Sequence, residues 1–250
     1  MVVFDDLEAE QDRLEEILSG LSEPDWASSS AAADWTIADV VLHLAQSEEA
    51  VVASVAGADL RARQTDAGAR VADGITVDQL MDDLVRAQRA APASIFQRWR
   101  TARRDAVAAL RAADPDKRLQ WVDAPLKPRT LATTRLAEHW AHGLDITGPL
   151  GIDFPDTQRL RHVAWLAHRT LPYALALAGQ QPHEVFCELT APDGVTTWRF
   201  GPPDAGSSIT GPAGAFCRVA AQRIPPDRSG MRTAGPYADT ALRVLRTYAA

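Results

Sequence analysis

Apolar residues recur at intervals of three and four along most of the first 180 positions, a spacing typical of amphipathic helices. The segment after Thr36 also carries a helix-start signal, because Thr36 and Asp39 occupy the two positions of a capping box. Four long helices joined by loops favour an antiparallel four-helix bundle. The predicted helices cover about 4–20, a segment beginning at 36, 76–113 with a bend or restart near Pro92, 130–147 and 157–177.

The pattern changes near Gly179, where alternation of apolar and polar residues replaces helical spacing. Val185, Cys187 and Leu189 alternate with polar neighbours, as in a half-buried strand. The sequence therefore predicts a fold that is α+β but mainly α, with a helical bundle in residues 1–178 and a small α+β domain in 179–250. Within that domain, strands are expected at 185–189, 196–200 and 208–210, and helices at 212–223 and 237–248.

Composition narrows the classes of function. The chain has 250 residues, of which 46% are apolar and 24% charged, as in a soluble globular protein. No apolar run approaches the roughly 20 residues of a membrane helix, and from the acidic N-terminal residues we expect no secretory signal. A net charge of -7 argues against a nucleic-acid partner. We expect a cytoplasmic protein with a small-molecule substrate and no membrane partner, either monomer or homodimer.

The most informative residues are His43, Glu138 and His142. Glu138 and His142 are four residues apart, so on a helix they share one face, and His43 falls on the apolar stripe of an earlier helix. Two imidazoles and a carboxylate inside a bundle form a facial ligand set that leaves coordination positions open on a divalent metal. Zn²⁺ is the first expectation, and Ni²⁺, Co²⁺ or Fe²⁺ suit the same set.

The same residues are also compatible with purely structural roles. A single histidine on an apolar face is more often a hydrogen-bonded core residue, and Glu138 with His142 is also a common exposed ion pair. Against this, the predicted helix at 130–147 carries several titratable side chains on the face that should be buried. A dication would offset the free-energy cost of burying them. Those side chains are Arg135, Glu138, His142 and Asp145. Outside the ligand set, we expect Asp145, Glu48 and Asp39 to orient the imidazoles, and His139 is a rival ligand.

Two arginines are candidates for catalysis. Arg135 is expected to bind a substrate carboxylate through its fork of donors, or else to pair with Glu138 or Asp145. Arg223 follows a helical pattern in the C-terminal domain, where it either complements the helix dipole or reaches a carboxylate substrate across the domain interface. Cys217 is disfavoured as a nucleophile because nothing near it in sequence would activate its thiol.

Three segments carry a family resemblance. They read DWTIADVVLHLA at 34–45, RLAEHWAHGLD at 135–145, and ELTAPDG to GPAGAFC at 188–217. With these motifs the chain resembles the DinB-like superfamily and, more narrowly, the mycothiol-dependent maleylpyruvate isomerase-type proteins of actinobacteria. The resemblance implies a four-helix bundle with a metal on His43, Glu138 and His142, followed by a sterol-carrier-like domain.

The resemblance also implies a reaction in which the metal activates a low-molecular-weight thiol, typically mycothiol, that adds to an electrophilic carbon. An arginine of the C-terminal domain takes part in the isomerase, and Arg223 is the closest candidate here. Relatives often have a threonine at the position of His139 and an aromatic residue at that of Gln46, and the segment 121–127 departs from their pattern as well. Because of these departures, the resemblance does not identify the substrate or the thiol.

The leading hypothesis is therefore a metal-dependent thiol (mycothiol) S-transferase or isomerase. An alternative is a thiol-independent tailoring enzyme of secondary metabolism that promotes cyclisation, ring opening or dehydration on the same scaffold. A third hypothesis is a non-catalytic small-molecule binding protein.

Overall fold

The computed structural model describes residues 2–58, 77–121 and 124–247. Its first unit, which ends at Phe154, contains six helices within the described residues. Two of them, α4 (Val77–Ala87) and α5 (Pro92–Ala112), lie in the span 76–113, which was expected to be helical with a bend or restart near Pro92. The first residue of that span lies outside the described part. The break occurs before Pro92, which begins α5 because proline lacks the N–H that a helix interior requires. The helices are α1 (Val3–Ser19), α2 (Glu23–Ala27), α3 (Ile37–Val55), α4 (Val77–Ala87), α5 (Pro92–Ala112) and α6 (Pro128–Leu150).

The four long helices of this unit form the predicted bundle. α1 and α3 each pack against both α5 and α6, and the core contains the fully buried side chains of Leu14, Ile37, Leu44 and Trp99. Only the short helix α2 was not expected, and it is started by a capping box rather than by an apolar repeat. Among the described residues, no helix has both the length and the apolar character needed to cross a bilayer.

The end of α6 lies beyond the predicted one. The helix continues past Gly148 and Pro149 to Leu150 and is terminated by Gly151, whose backbone is left-handed (φ 64°). Because Pro149 has no N–H, the carbonyl of Asp145 loses its usual helical donor. The N–H of Ala31 donates to that carbonyl instead, at 2.9 Å, and so fixes the loop before α3 to the last turns of α6.

The second unit begins at Pro155 and combines helices with a small sheet. The elements are α7 (Leu160–Leu177), β1 (Phe186–Thr190), β2 (Thr197–Phe200), β3 (Ser208–Pro212), α8 (Ala213–Ala220), β4 (Arg232–Ala234) and α9 (Ala238–Val244). The sheet has the order β2-β1-β3-β4, with β1 and β3 parallel and the outer pairs antiparallel. Three strands match the prediction, whereas β4 is only three residues long and carries no alternating pattern that would reveal it.

The boundary between the two units differs from the prediction. It lies between Phe154 and Pro155 rather than between 178 and 179, so α7 belongs to the second unit. The apolar face of α7 packs against α8, α9 and β2. The spacing of apolar residues shows that α7 has a buried face, but it does not show which elements cover that face.

The two cysteines behave as small apolar residues, as expected. Cys187 and Cys217 are both free and buried in the second unit. Burial raises the pKa of the Cys187 thiol to about 12 and also raises the pKa of Cys217. Neither thiol is therefore ionised near neutral pH, which agrees with the expectation that Cys217 is not a nucleophile.

The close approach of α6 to Phe154 gives a test of the fold. A Cβ added at Gly143 would lie 2.5 Å from the Cζ of Phe154, and the guanidinium of Arg13 covers that ring at 3.6 Å. We expect Gly143→Ala to lower the free energy of unfolding by roughly 1–3 kcal/mol. Gly148→Ala is the matched control, because nothing lies within 4 Å of its added Cβ. Urea unfolding of both variants checks this, and equal stability would contradict it.

Candidate metal centre

Helices α3 and α6 supply the three side chains that the sequence singled out. α3 begins with the predicted capping box: the Thr36 hydroxyl accepts from the Asp39 N–H, and the Asp39 carboxylate accepts from the Thr36 N–H. This cap fixes the start of the helix that carries His43. Glu138 and His142 lie one turn apart on α6, as their spacing predicted.

The three side chains converge. The Nε2 of His43 lies 3.7 Å from the Oε2 of Glu138, and the Nε2 of His142 lies 3.5 Å from the same oxygen. One ligand atom from each residue can be chosen so that all three lie within 4.8 Å of one another. These separations exceed the roughly 2.9 Å of an N–H···O hydrogen bond. They are close to the about 3.4 Å that separates two ligands of a tetrahedral ion with bonds of about 2.1 Å. The donor set therefore fits one divalent cation.

The centre is packed on the imidazole side and open at the carboxylate. The side chains of His43 and His142 are 13% and 12% exposed, whereas that of Glu138 is 28% exposed. The rings of His43 and His142 meet edge to face at 5.1 Å, and the Trp35 ring lies 5.2 Å from that of His43. The carboxylate is therefore the most accessible of the three candidate ligand groups.

The protonation states suit ligation. Burial lowers the pKa of His43, which leaves its imidazole neutral near pH 7. Burial alone would raise the pKa of Glu138, but the imidazoles of His142 and His43 and the charge of Arg135 hold it well below its usual range. A neutral imidazole and an ionised carboxylate are the forms that bind a cation.

Asp145 lies where the sequence placed it, beside His142. The Nδ1 of His142 donates to the Oδ2 of Asp145 at 2.9 Å, and Asp145 is buried. Since an ionised carboxylate only accepts, this contact puts the proton of a neutral His142 imidazole on Nδ1, and its Nε2 lone pair is then available to a cation. Burial would lower the pKa of His142, but Asp145 and Glu138 outweigh that effect and raise it.

Glu48 and Arg135 pair with each other, which corrects two predictions. The Nε of Arg135 donates to the Oε1 of Glu48 at 2.9 Å, and both side chains are buried. Glu48 was expected beside His43, and the alternative for Arg135 was a pair with Glu138 or Asp145. The partner comes from another helix, 87 positions away, so neither helical pattern could reveal it.

His139 is not available as a ligand. Its Nδ1 donates to the backbone carbonyl of Arg135 at 2.9 Å, and its Nε2 accepts from the indole N–H of Trp99 at 3.2 Å. Burial, together with the charge of Arg135, lowers the pKa of His139 to about 3. Both ring nitrogens of this neutral imidazole are engaged, so the rival ligand is excluded, and its contacts orient the backbone and Trp99 rather than either ligating imidazole.

Asp39 also differs from its expected position. Both of its carboxylate oxygens accept from Arg89, at 2.7 and 2.8 Å, in addition to the cap of α3. Trp35 and Gln46 also lie near His43 along the chain, and no sequence pattern reveals their contacts. The indole N–H of Trp35 donates to Asp82 at 3.0 Å, and the Gln46 amide donates to the Leu84 carbonyl at 3.2 Å, so both bind α4.

Arg223 lies in the second unit, three residues after the end of α8. It borders a cavity of about 320 Å³ that Gln222 and Arg243 also line. Its Nη1 donates to the Ala221 carbonyl at 2.6 Å, and the preceding Gln222 has a left-handed backbone (φ 61°). The predicted reach of Arg223 to a substrate in the metal centre stays a prediction.

Comparisons with known proteins agree with this architecture. The family model described as "Mycothiol maleylpyruvate isomerase N-terminal domain" matches residues 7–147. Crystal structures of the mycothiol-dependent maleylpyruvate isomerase and of its histidine-to-alanine mutant share the fold, each with a TM-score of 0.61, 13% identity, and coverage of 94% of this chain and 95% of that one. Uncharacterized proteins from two Mycobacterium tuberculosis strains, CDC 1551 / Oshkosh and H37Rv, are each 33% identical over 98% of this chain and 94% of their own length.

The contact between Asp145 and His142 can be tested without metal. We expect Asp145→Asn to lower the pKa of His142, because the carboxylate that stabilises its imidazolium is removed. The measurement is an NMR pH titration of the imidazole resonances in chelator-treated protein. Asp153→Asn, which neutralises an exposed carboxylate of the same unit, is the control. An unchanged pKa in Asp145→Asn would show that the contact does not control this imidazole.

Proposed function

The chain belongs to the mycothiol maleylpyruvate isomerase N-terminal domain family, whose model covers more than half of it, and on that premise we propose that it is a metal-dependent thiol transferase or isomerase. The observation that carries the proposal is the convergence of His43, Glu138 and His142 on one point. Three protein ligands are typical of catalytic zinc sites, whereas structural zinc sites have four. Zn²⁺ is the proposed metal, with Ni²⁺, Co²⁺ and Fe²⁺ as alternatives for the same donors.

We propose mycothiol as the cosubstrate. The support is the family itself and the fold shared with a mycothiol-dependent isomerase. A divalent cation bound at these side chains would act as a Lewis acid that lowers the pKa of a thiol. The 28% exposure of Glu138 gives the thiol a route to the centre.

The chain's own residues would position the reactants. Asp145 holds the imidazole of His142 in one tautomer and orientation. The ring of Trp35 packs beside His43 and shields that side of the centre from water. Arg223 is proposed, from the family resemblance, to bind the substrate's carboxylate or the oxyanion that develops during the reaction.

The proposed reaction conserves atoms and electrons. The thiol S–H bond breaks as its proton leaves to solvent, and the sulfur lone pair forms an S–C bond to an electrophilic carbon. With an enone, the π pair of the C=C bond shifts to the carbon–carbon bond next to the carbonyl, and the π pair of the C=O bond becomes a lone pair on oxygen. In a transfer, the resulting enolate takes up a proton and the adduct keeps the sulfur. In an isomerisation, the enolate rotates about the new single bond, its electrons re-form the C=C bond as the S–C bond breaks with its electron pair on sulfur, and the released thiolate takes up a proton.

The metal is tested first. Protein purified without chelators should contain about one divalent metal ion per chain, and His43→Ala should lose it, because two remaining ligands bind weakly. Elemental analysis by mass spectrometry gives the stoichiometry. His162→Ala, in the second unit, removes a histidine outside the centre and should keep the metal. Absence of metal from the unaltered chain would overturn the proposal.

The thiol requirement is tested with loaded enzyme. A panel of enones and epoxides is incubated with mycothiol, and loss of free thiol is followed. We expect turnover of at least one electrophile that requires both mycothiol and the metal, and no turnover by His43→Ala. Turnover of a substrate without thiol would contradict the mechanism and favour a tailoring enzyme instead.

A further inference from the structure

The buried ion pair between Arg135 and Glu48 is incomplete. Two other arginines of the same unit, Arg89 and Arg98, use both Nε and Nη2 to bind both oxygens of a carboxylate. Arg135 donates to Glu48 through Nε, while its Nη2 and the second oxygen of Glu48, Oε2, are buried and have no hydrogen-bond partner among the described residues. The pair that is removed from solvent therefore makes one of the two bonds that the more exposed pairs make.

This arrangement is costly unless something completes it. The side chains of Arg135 and Glu48 are 4% and 0% exposed. A buried charged group that lacks hydrogen bonds carries a desolvation penalty that its partner only partly offsets. Within this residue pair, a donor on Arg135 and an acceptor on Glu48 thus both lack a partner among the described residues.

The pair lies next to the candidate metal centre. Arg135 precedes Glu138 by three residues on α6, so the two side chains share a face of that helix. Its positive charge acts on both His43 and Glu138. On α3, Gln46 follows His43 by three residues, and its Oε1 is a further buried acceptor without a partner among the described residues.

We propose that Arg135 and Glu48 together bind a neutral ligand group that both accepts and donates a hydrogen bond, namely a hydroxyl or an amide. This inference rests on the proposed function of the metal centre. A carboxylate would satisfy Arg135 but would face the negative charge of Glu48, and an ammonium group would face the positive charge of Arg135. A hydroxyl or an amide accepts from Nη2 and donates to Oε2. The pair thus selects against a second carboxylate at this position.

Either reactant can supply this group, and two arms of one experiment separate them. Full-length, metal-loaded protein is compared with Arg135→Lys, which keeps the charge but removes Nη2, and with Glu48→Gln, which keeps the shape but turns the acceptor Oε2 into a donor. Glu49→Gln is the matched control, since it makes the same change at the next residue, in a half-exposed pair with Arg98. Metal content and melting temperature are recorded for every variant, so loss of the metal centre is distinguished from loss of ligand recognition.

The first arm measures thiol binding by calorimetry. The probes are mycothiol, which carries hydroxyl and amide groups, and 1-propanethiol, which carries neither. If the thiol supplies the group, Arg135→Lys and Glu48→Gln should each raise the Kd of mycothiol at least tenfold and change that of 1-propanethiol less than twofold. Glu49→Gln should leave both values within twofold.

The second arm measures preference between electrophiles. Acrylamide and acrylate differ only in an amide and a carboxylate, and the ratio of their kcat/KM values cancels changes that affect both. If the electrophile supplies the group, Glu48→Gln should lower the acrylamide-to-acrylate ratio at least tenfold. If Arg135→Lys fails to fold, Glu48→Gln, which is nearly isosteric with the parent, is the variant used in both arms.

Two results would overturn the proposal. In variants that keep their metal, a mycothiol Kd within twofold of the parent together with an unchanged electrophile ratio would make the pair structural, completed by trapped water. The second such result is a rise in the kcat/KM of Glu48→Gln for acrylate, with no fall in kcat/KM for acrylamide and no weaker mycothiol binding. That result would show that Arg135 binds a carboxylate instead.

Discussion

The structure of the first unit depends on how the polar face of α6 is buried against its neighbouring helices. A helix that places charged groups in a bundle interior is stable only if each group finds a partner. α3 supplies Glu48 to Arg135, α5 supplies the Trp99 indole to His139, and α6 itself supplies Asp145 to His142. Glu138 differs from these groups. Among the described residues, its carboxylate faces the Nε2 atoms of His43 and His142 at 3.7 and 3.5 Å, which is longer than a normal hydrogen bond.

The buried charges around the candidate metal centre must also balance one another. Glu48, Glu138 and Asp145 bring three carboxylates into this region, and Arg135 brings one guanidinium. With neutral imidazoles, two negative charges are left over when all three carboxylates are ionised, and a dication between His43, Glu138 and His142 would compensate them. Without a cation, protons can supply part of this charge, because burial raises the pKa of Glu48 and the neighbouring carboxylates raise that of His142.

Contacts near both ends of the site fix the positions of the two ligand-bearing helices. The Thr36 and Asp39 cap sets where α3 begins, and Arg89 adds a two-bond contact to the same carboxylate. At the other end of the site, Pro149 frees the Asp145 carbonyl, which the Ala31 N–H then binds. The residue that orients His142 through its side chain is therefore also bound, through its backbone, to the loop that precedes α3. Rigid placement of this kind is what a metal site with few protein ligands requires.

The sequence by itself determined the local features: the long helices and three strands, the cap of α3, the break at Pro92, and the shared face of Glu138, His142 and Asp145. These follow from periodicity and from contacts within a few residues. Only the tertiary structure decided which residues from distant segments meet. Arg135 pairs with Glu48, Arg89 forms an ion pair with Asp39, and the Trp99 indole donates a hydrogen bond to His139. The packing of α7 against the sheet is a further contact of this kind. Each of these depends on which distant surfaces meet, and a helical repeat specifies that a face is buried without specifying its partner.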